Sequence, residues 1–501
     1  MSKKVKGRSL KAKSLNWHQT IAIFGGIGLL LWGLSGLLHP LMTTFGPQQA
    51  VFYPPARPLN LQDIKPVHDI LAEAGITKAQ AVKVIVSDQQ NLLQVTESQD
   101  QPRRYFQLND GRELVGYDQQ HAAFLARYYT KIDEDTNIRQ ITRLENFTEN
   151  YPPVNRLLPV YKVDFERDDN LSIYVYTETN ASAGLSNNFK NNVQAIFRVV
   201  HTWSWFPREA EWGRVVLITL FIGSLLALGI TGVMMLILIR RKIPAKEGRK
   251  FHRLAGYILA LPIIMFSASG LYHLIEYADD EPVRNLKLSC NGNLADVKFP
   301  LHEQWTDLTK GLNVNNLSIV QDVSGQHLYR LGLAPQRKAP TGDAAIRNAR
   351  FDGVETTGPA YYINATTGET WQNGDKELAI QLGERFTGVD RDAIKNVEMV
   401  KRFGSGYDFR NKRLPVWRLD YAAPVNATVF VDTTTGVLAD KTADSRKPEQ
   451  LSFSMLHKWN FLFPVGRSAQ NIIISVFVLA TIIFMAIIGI QMDLKRRNRG
   501  K

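Results

Sequence analysis

The stretch WHQTIAIFGGIGLLLWGLSGLLHP, residues 17–40, is apolar almost throughout and carries a histidine near each end, His18 and His39. Residues 251–273, FHRLAGYILALPIIMFSASGLYH, repeat the device. His252 and His273 are again twenty-one positions apart, and Ser35-Gly36-Leu37-Leu38-His39 is answered by Ser269-Gly270-Leu271-Tyr272-His273. On one helix that separation is a rise of roughly 31 Å, with a net rotation of only about 60° from the same side. Each span therefore presents an imidazole at both faces of a bilayer. Ionisable side chains there are costly, and a repeated pattern of them marks function by default.

Around these spans the chain of 501 residues is too long for one ordinary core. Four apolar stretches reach the ~20 residues that cross a membrane as a helix, near Thr20 to Met42, Val215 to Ile239, Leu254 to Ile275 and Asn471 to Ile490. The net charge of +13 is concentrated in three places: before the first span, in the link between the second and third, and after the fourth. Eighteen Lys and Arg lie there against Glu247 and Asp493 alone, so the remainder is slightly acidic. This positive-inside pattern places both termini in the cytoplasm and both large loops outside. It also removes the basic surface that a nucleic-acid-binding reading needs. The first apolar run is longer than a signal-peptide core, and His39-Pro40-Leu41-Met42 offers no small-residue cleavage site, so a retained anchor is expected. Cys290 is the only cysteine, which excludes an internal disulfide, covalent Cys-x-x-Cys-His haem and a cysteine-held iron–sulfur centre.

The expected segments are a basic tail 1–18, spans 19–42, 214–240, 253–275 and 468–491, outer modules 43–213 and 276–467, a cytoplasmic link 241–252 and a basic tail 492–501. In the first outer module, Tyr105 to Leu114 alternates and turns at Asp110-Gly111, a hairpin signal. Leu158 to Phe165 and Leu171 to Tyr176 read as strands, Asn60 to Ala74 and His121 to Tyr129 as helices. The module is α+β with antiparallel strands. The second module repeats the plan at an offset of 256: Leu414 to Tyr421 answers Leu158 to Phe165, Val429 to Thr433 answers Ile173 to Thr177, and Tyr361-Tyr362 answers Tyr105-Phe106. Phe453 to Trp459, with His457, answers Phe197 to Trp203, with His201. The chain thus reads as two parallel repeats of helix, outer module, His-x-Trp segment and helix.

Six of ten histidines fall in repeated positions: His18 and His252 inside, and His39, His201, His273 and His457 outside. His68, His121, His302 and His327 have no counterparts and read as solvated surface residues. Imidazoles from facing helices hold a haem iron axially without covalent attachment, and Gly25, Gly26, Gly28, Gly33, Gly36, Gly223, Gly229 and Gly232 give a porphyrin room to approach the backbone. The bland alternative is interfacial anchoring, with the tryptophans as an aromatic belt and the glycines as packing residues. Zinc or copper would want cysteine, methionine or carboxylate beside the imidazoles; Glu276 follows His273, but His39 has no such neighbour. Arg198, Arg208, Arg214 and Arg467 are candidate propionate partners.

With its paired histidine spans, Ser-Gly-Leu-x-His ends, Leu-Pro-Val-aromatic strands at Leu158 and Leu414, Thr434-Thr435-Gly436 turn and His-x-Trp segments, nearly the whole chain resembles the PepSY-associated transmembrane family. Within it the chain is most similar to inner-membrane ferric-siderophore reductases of the ferrioxamine-reductase type. The resemblance implies a bacterial inner-membrane protein with interlaced PepSY-like periplasmic modules and two or three bis-histidine b-type haems. His18 and His252 would share an inner haem, and the other four histidines would hold outer ones. Pairing of His39 with His201 or with His457 stays open. A ferric siderophore or other periplasmic ferric chelate would be the substrate, with Tyr105, Tyr361 and Trp417 as candidate contacts, and a separate reductase or quinol the electron donor. A peptide-binding or sensory membrane protein, and a permease using the histidines as proton relays, are the competing readings.

Overall fold

The computed structural model describes residues 10–59, 64–88, 90–238, 247–278, 283–287, 293–300, 308–309, 313–333, 359–404 and 406–498. The basic segments 1–9, 239–246 and 499–501, with Cys290 and His302, lie outside them. In chain order the helices are α1 (Leu10–Gly36), α2 (Leu38–Phe45), α3 (Val67–Glu73), α4 (Tyr117–Thr130), α5 (Asn188–Phe197), α6 (Glu211–Leu238), α7 (Glu247–Glu276), α8 (Gly374–Thr387), α9 (Lys447–Ser452), α10 (Arg467–Thr481) and α11 (Ile488–Asn498). The strands are β1 (Ala81–Ser87), β2 (Gln90–Thr96), β3 (Arg104–Gln107), β4 (Ile138–Leu144), β5 (Val160–Phe165), β6 (Ser172–Tyr176), β7 (Ala181–Ser186), β8 (Leu286–Lys287), β9 (Val314–Gln321), β10 (His327–Leu333), β11 (Tyr361–Asn364), β12 (Ile394–Val400), β13 (Val416–Tyr421), β14 (Ala427–Asp432) and β15 (Val437–Ala443). They form two compact units. One comprises Met1–Gly46, Phe189–Glu281 and Arg446–Lys501, the other Pro47–Asn188 and Pro282–Ser445.

The first unit holds four helices long and apolar enough to cross a membrane. Small residues let them approach closely. A Cβ on Gly25 would lie 3.1 Å from the Ser224 carbonyl oxygen, and one on Gly28 3.1 Å from that of Phe221, so α1 lies backbone to backbone on α6. Leu29, Leu225, Ile263 and Ala486, one from each span, make the buried centre. Phe24, Leu220, Ile258, Leu261 and Ile472 point outward and exposed, as a lipid-facing surface requires. His18 and His39 lie on one helical span, Leu10–Phe45, in which Leu37 links α1 to α2 with right-handed helical backbone (φ −65°, ψ −21°). Pro40 has no N–H to give the Gly36 carbonyl, so the ladder loses one bond there and α1 and α2 are separated by that single residue. His252 and His273 likewise share one helix, α7.

In the second unit each loop supplies its own sheet and half of a shared one. The order β4-β5-β6-β7 forms a four-stranded sheet packed by α4, and β12-β13-β14-β15-β8 a five-stranded sheet packed by α8. At Gly383 α8 lies close on the sheet, where a Cβ would sit 2.3 Å from Leu419 Cδ1 and 2.7 Å from Tyr421 Oη. The shared sheet runs β11-β10-β9-β1-β2-β3, joined where Lys83 of β1 faces Ser318 of β9. One face of it is apolar, with Val82, Val84, Leu93, Phe106, Leu317, Leu331 and Ile363 in the core with α3. The other carries a buried polar row, Tyr105, Gln94, Lys83, Ser318, Arg330 and Tyr362, in cross-strand register.

The strands fall where the sequence placed them, and the Asp110-Gly111 turn closes through a Phe106–Glu113 bridge. The helix expected over Asn60 to Ala74 is confined to α3 among the described residues, because Pro66 imposes an extended backbone before it. Tyr105 corresponds to Tyr362 rather than Tyr361: Tyr105 Oη donates to Asp118 and Tyr362 Oη to Asp375. The connection from α8 to β12 is one residue shorter than that from α4 to β4, which moves the offset from 257 to 256. His121 and His327 are buried rather than solvated. His121 is held by Ser87 Oγ (2.6 Å) and Asn180 Oδ1 (2.7 Å), and burial pushes it down to about 4.

Candidate functional site

Two short π-helical turns, Arg198–Thr202 and Phe453–His457, carry His201 and His457. Such turns are rare and concentrate at functional sites. Each is followed by a tryptophan with left-handed backbone, Trp203 (φ 52°) and Trp459 (φ 50°). The next span pins each turn: Arg214 Nη1 donates to the Thr202 carbonyl at 2.7 Å, and Gln470 Nε2 to the Lys458 carbonyl at 2.6 Å.

Hydrogen bonds then fix the imidazoles. His201 Nδ1 is 2.8 Å from Ser35 Oγ, and that hydroxyl donates to the Leu31 carbonyl at 2.6 Å. His457 Nδ1 lies 3.3 Å from both Ser269 Oγ, whose proton goes to the Met265 carbonyl at 2.6 Å, and the Phe266 carbonyl oxygen. His18 Nδ1 is 3.0 Å from Thr231 Oγ1, which donates to the Ala227 carbonyl at 2.7 Å. With each hydroxyl proton committed to its own helix, the hydroxyl oxygen accepts and Nδ1 carries the proton. His252 Nδ1 donates to the Phe484 carbonyl at 3.0 Å, inside a π-helical segment of the last span, Ile482–Ile487. His273 Nδ1 lies 2.7 Å from Glu449 Oε1. In all five the Nε2 lone pair is left available, the arrangement that orients metal-ligating histidines. Burial, then the nearby His39, pushes His201 down to about 4. Burial, then His201 and His273, pushes His457 down to about 3. Both are therefore neutral, the form that ligates.

His39, His201, His273 and His457 line one cavity of about 710 Å³, within the size range of small-molecule and cofactor sites. Its walls are mainly apolar, including Leu29, Ile222, Leu225, Ile263, Phe266 and Val478, and Arg214, Lys458 and Arg467 are its basic lining residues. Glycines let the rings lie on the backbone: Cβ positions at Gly36 and Gly270 fall 3.8 Å and 3.4 Å from Cε1 of His201 and His457. Phe453 stacks on His273 at 3.9 Å and on His457 at 4.6 Å, with interplanar angles of 16° and 15°. Two rings cannot share one face at those distances, so Phe453 stands between them. At the other end His18 and His252 face each other with centroids 6.3 Å apart and planes at 71°.

All four outer positions named from sequence thus meet in one place, and the two inner ones meet in another. Arg214 serves Glu211 and the π turn, and Arg467 donates to Gln470 Oε1. Tyr105 and Trp417 are strand core, not surface contacts; Tyr361 is partly buried against the core. No group of three or more His, Cys, Asp or Glu side chains suited to a bare metal ion occurs among the described residues. Sequence reasoning missed Ser35, Thr231, Ser269, Phe484 and Glu449. The two serines were visible in the Ser-Gly-Leu-x-His repeat, but a carbonyl freed by a π segment leaves no sequence signal. No protein-family model matches the chain, and no curated protein matches it.

Proposed function

We propose that this protein is a membrane-embedded haem reductase built from two parallel repeats, with PepSY-like modules outside the bacterial inner membrane and both termini in the cytoplasm. It passes electrons from an external donor, a reductase or quinol, to a periplasmic ferric chelate of the siderophore type. The supporting observation is the uniform presentation of Nε2 by five repeated histidines whose Nδ1 atoms are tied to acceptors. The surroundings fit b-type haem: an apolar cavity with glycines beside the rings, basic side chains in its lining, and imidazoles without a further ligand set. His18 and His252 face each other with ring centroids 6.3 Å apart, and together they would hold one haem.

The Phe453 sandwich argues against His273 and His457 sharing an iron. The facing pair His18 and His252 occupies corresponding positions of the two halves. By the same correspondence we pair His201 with His457 and His39 with His273. Bound haem would supply a one-electron Fe(III)/Fe(II) couple. The chain's contribution is to hold neutral imidazoles at fixed orientation and to surround them with apolar side chains that exclude water. Each ferric ion in the chelate takes one electron, and the ferrous product is held less tightly by hard oxygen donors.

The test is to reduce the purified, haem-loaded protein, remove excess reductant and add a ferric hydroxamate chelate together with a ferrous-specific chromogenic chelator. Reoxidation of the haem bands with matching ferrous signal is expected. A haem-loaded protein that stays reduced would remove the chelate as substrate.

A further inference from the structure

Four of the five oriented imidazoles give their Nδ1 proton to a neutral acceptor: Thr231, Ser35 and Ser269 hydroxyls and the Phe484 carbonyl. His273 gives its proton to a carboxylate, Glu449 Oε1 at 2.7 Å. The Glu449 side chain is 1% exposed, and His273 is its one ion-pair partner among the described residues. A carboxylate taken out of water needs positive charge opposite it. His273 stands opposite Glu449, and the first half of the chain has Val193 at the matching position, so it has no matching carboxylate.

We propose that Glu449 lowers the reduction potential of the haem ligated by His273, and thereby makes one of three otherwise similar sites electronically distinct. The proposal rests on the haem reading above. A carboxylate accepting the Nδ1 proton of a ligating imidazole makes Nε2 a stronger donor, and a fixed negative charge in an apolar cavity favours the ferric form. Glu449 touches neither iron nor substrate and acts through His273, as a positioning and tuning residue. The neutral acceptors on the other histidines orient their rings without this bias. The asymmetry gives the relay a site that releases its electron readily toward the outside.

Equilibrium potentiometry of the purified full chain, followed by haem absorption, tests this with Glu449→Gln and Glu449→Asp. Gln keeps the size and a hydrogen-bond acceptor but removes the charge. The expected result is unchanged haem content with one component moved to higher potential, by at least a tenfold change in its oxidised-to-reduced ratio, 59 mV for one electron, while the others stay. Asp, which keeps the charge at a longer reach, should move that component by less. Should Gln not retain haem, the Asp variant carries the test alone. Curves that superimpose on wild type at equal haem content, or components that all move together, would overturn the assignment and leave the haem reading standing. A wild-type chain without haem would remove both.

Discussion

Histidines at corresponding sequence positions in the two halves of the chain are held by different chemistry. In the first, His18 leans on a hydroxyl, Thr231, in a regular stretch of α6. In the second, the position matching Thr231 is Ile488, which has nothing to offer, and His252 instead takes the Phe484 carbonyl. That carbonyl lies in the π-helical stretch Ile482–Ile487, where the i→i−4 ladder is interrupted. The second unit, Pro47–Asn188 with Pro282–Ser445, repeats the lesson. Tyr105 and Tyr362 reach Asp118 and Asp375 in the same way. Beside them Glu178 is surrounded by Arg103, Arg413 and Lys287, whereas the matching residue of the second module is Thr434, and Tyr176 is answered by Asp432. The two halves thus place side chains alike but differ in which of them supplies the charge.

The largest effects should come from the proposed haem ligands, and they separate pairing across the two halves of the chain from pairing within them. His39→Ala and His273→Ala should each lose the same haem, so the double variant loses no more than either single one. His39→Ala combined with His201→Ala should lose two. Haemochrome quantification decides it, and equal loss from His39→Ala, His201→Ala and their combination would favour pairing within a repeat.

Next comes the buried charge cluster. Glu178→Gln leaves Lys287 without its partner and weakens the hold on Arg103 and Arg413, which should cost about 3 to 5 kcal/mol. Thr434→Val at the matching place should cost less than about 1 kcal/mol. Thermal unfolding of the full chain compares them, and equal losses would contradict the asymmetry.

Lys83, where the two modules join, is pushed down to about 7 by burial, against the opposing pull of Glu178 and Asp432. Its ordinary value is 10.5. Between those two values the unfolded chain holds a proton that the folded one has lost, so stability rises with pH through that window and the penalty is complete below it. Lys83→Met should therefore stabilise the second unit at pH 7 by roughly 2 kcal/mol, less than the full shift implies, and flatten the pH dependence. A residual slope should remain from Lys287, held near 8 mainly by burial. Melting temperatures that keep the wild-type slope would refute this.

The smallest effect concerns the inner pair. Thr231→Val should weaken haem retention at His18 by roughly tenfold, and Ile488→Thr should leave His252 unaffected because the Phe484 carbonyl already accepts its proton. Chelation-free haem transfer to an apo-acceptor measures both.

The spans and the six histidines were legible because bilayer length and charge bias leave strong patterns, and the outer strands because Leu158 to Phe165 and Leu414 to Tyr421 alternate clearly. The shared sheet was not. Its seam joins β1 to β9 across more than two hundred residues, and β9 opens with Val314-Asn315-Asn316, which reads as loop until β10 pairs with it. His121 looked like a surface residue because Ser87 and Asn180, which satisfy it, are distant in sequence. The one bond missing from the ladder near His39 was foreshadowed by Pro40, whose effect falls four residues upstream of itself.

The central claim is that the repeated histidines hold haem. The most direct measurement is the absorption spectrum of the detergent-purified full chain, oxidised and dithionite-reduced, with pyridine haemochrome quantification after expression with ample haem. The account predicts low-spin b-type bands at two or three haems per chain. A pure, folded and colourless protein would contradict it and return the peptide-binding or sensory reading to first place.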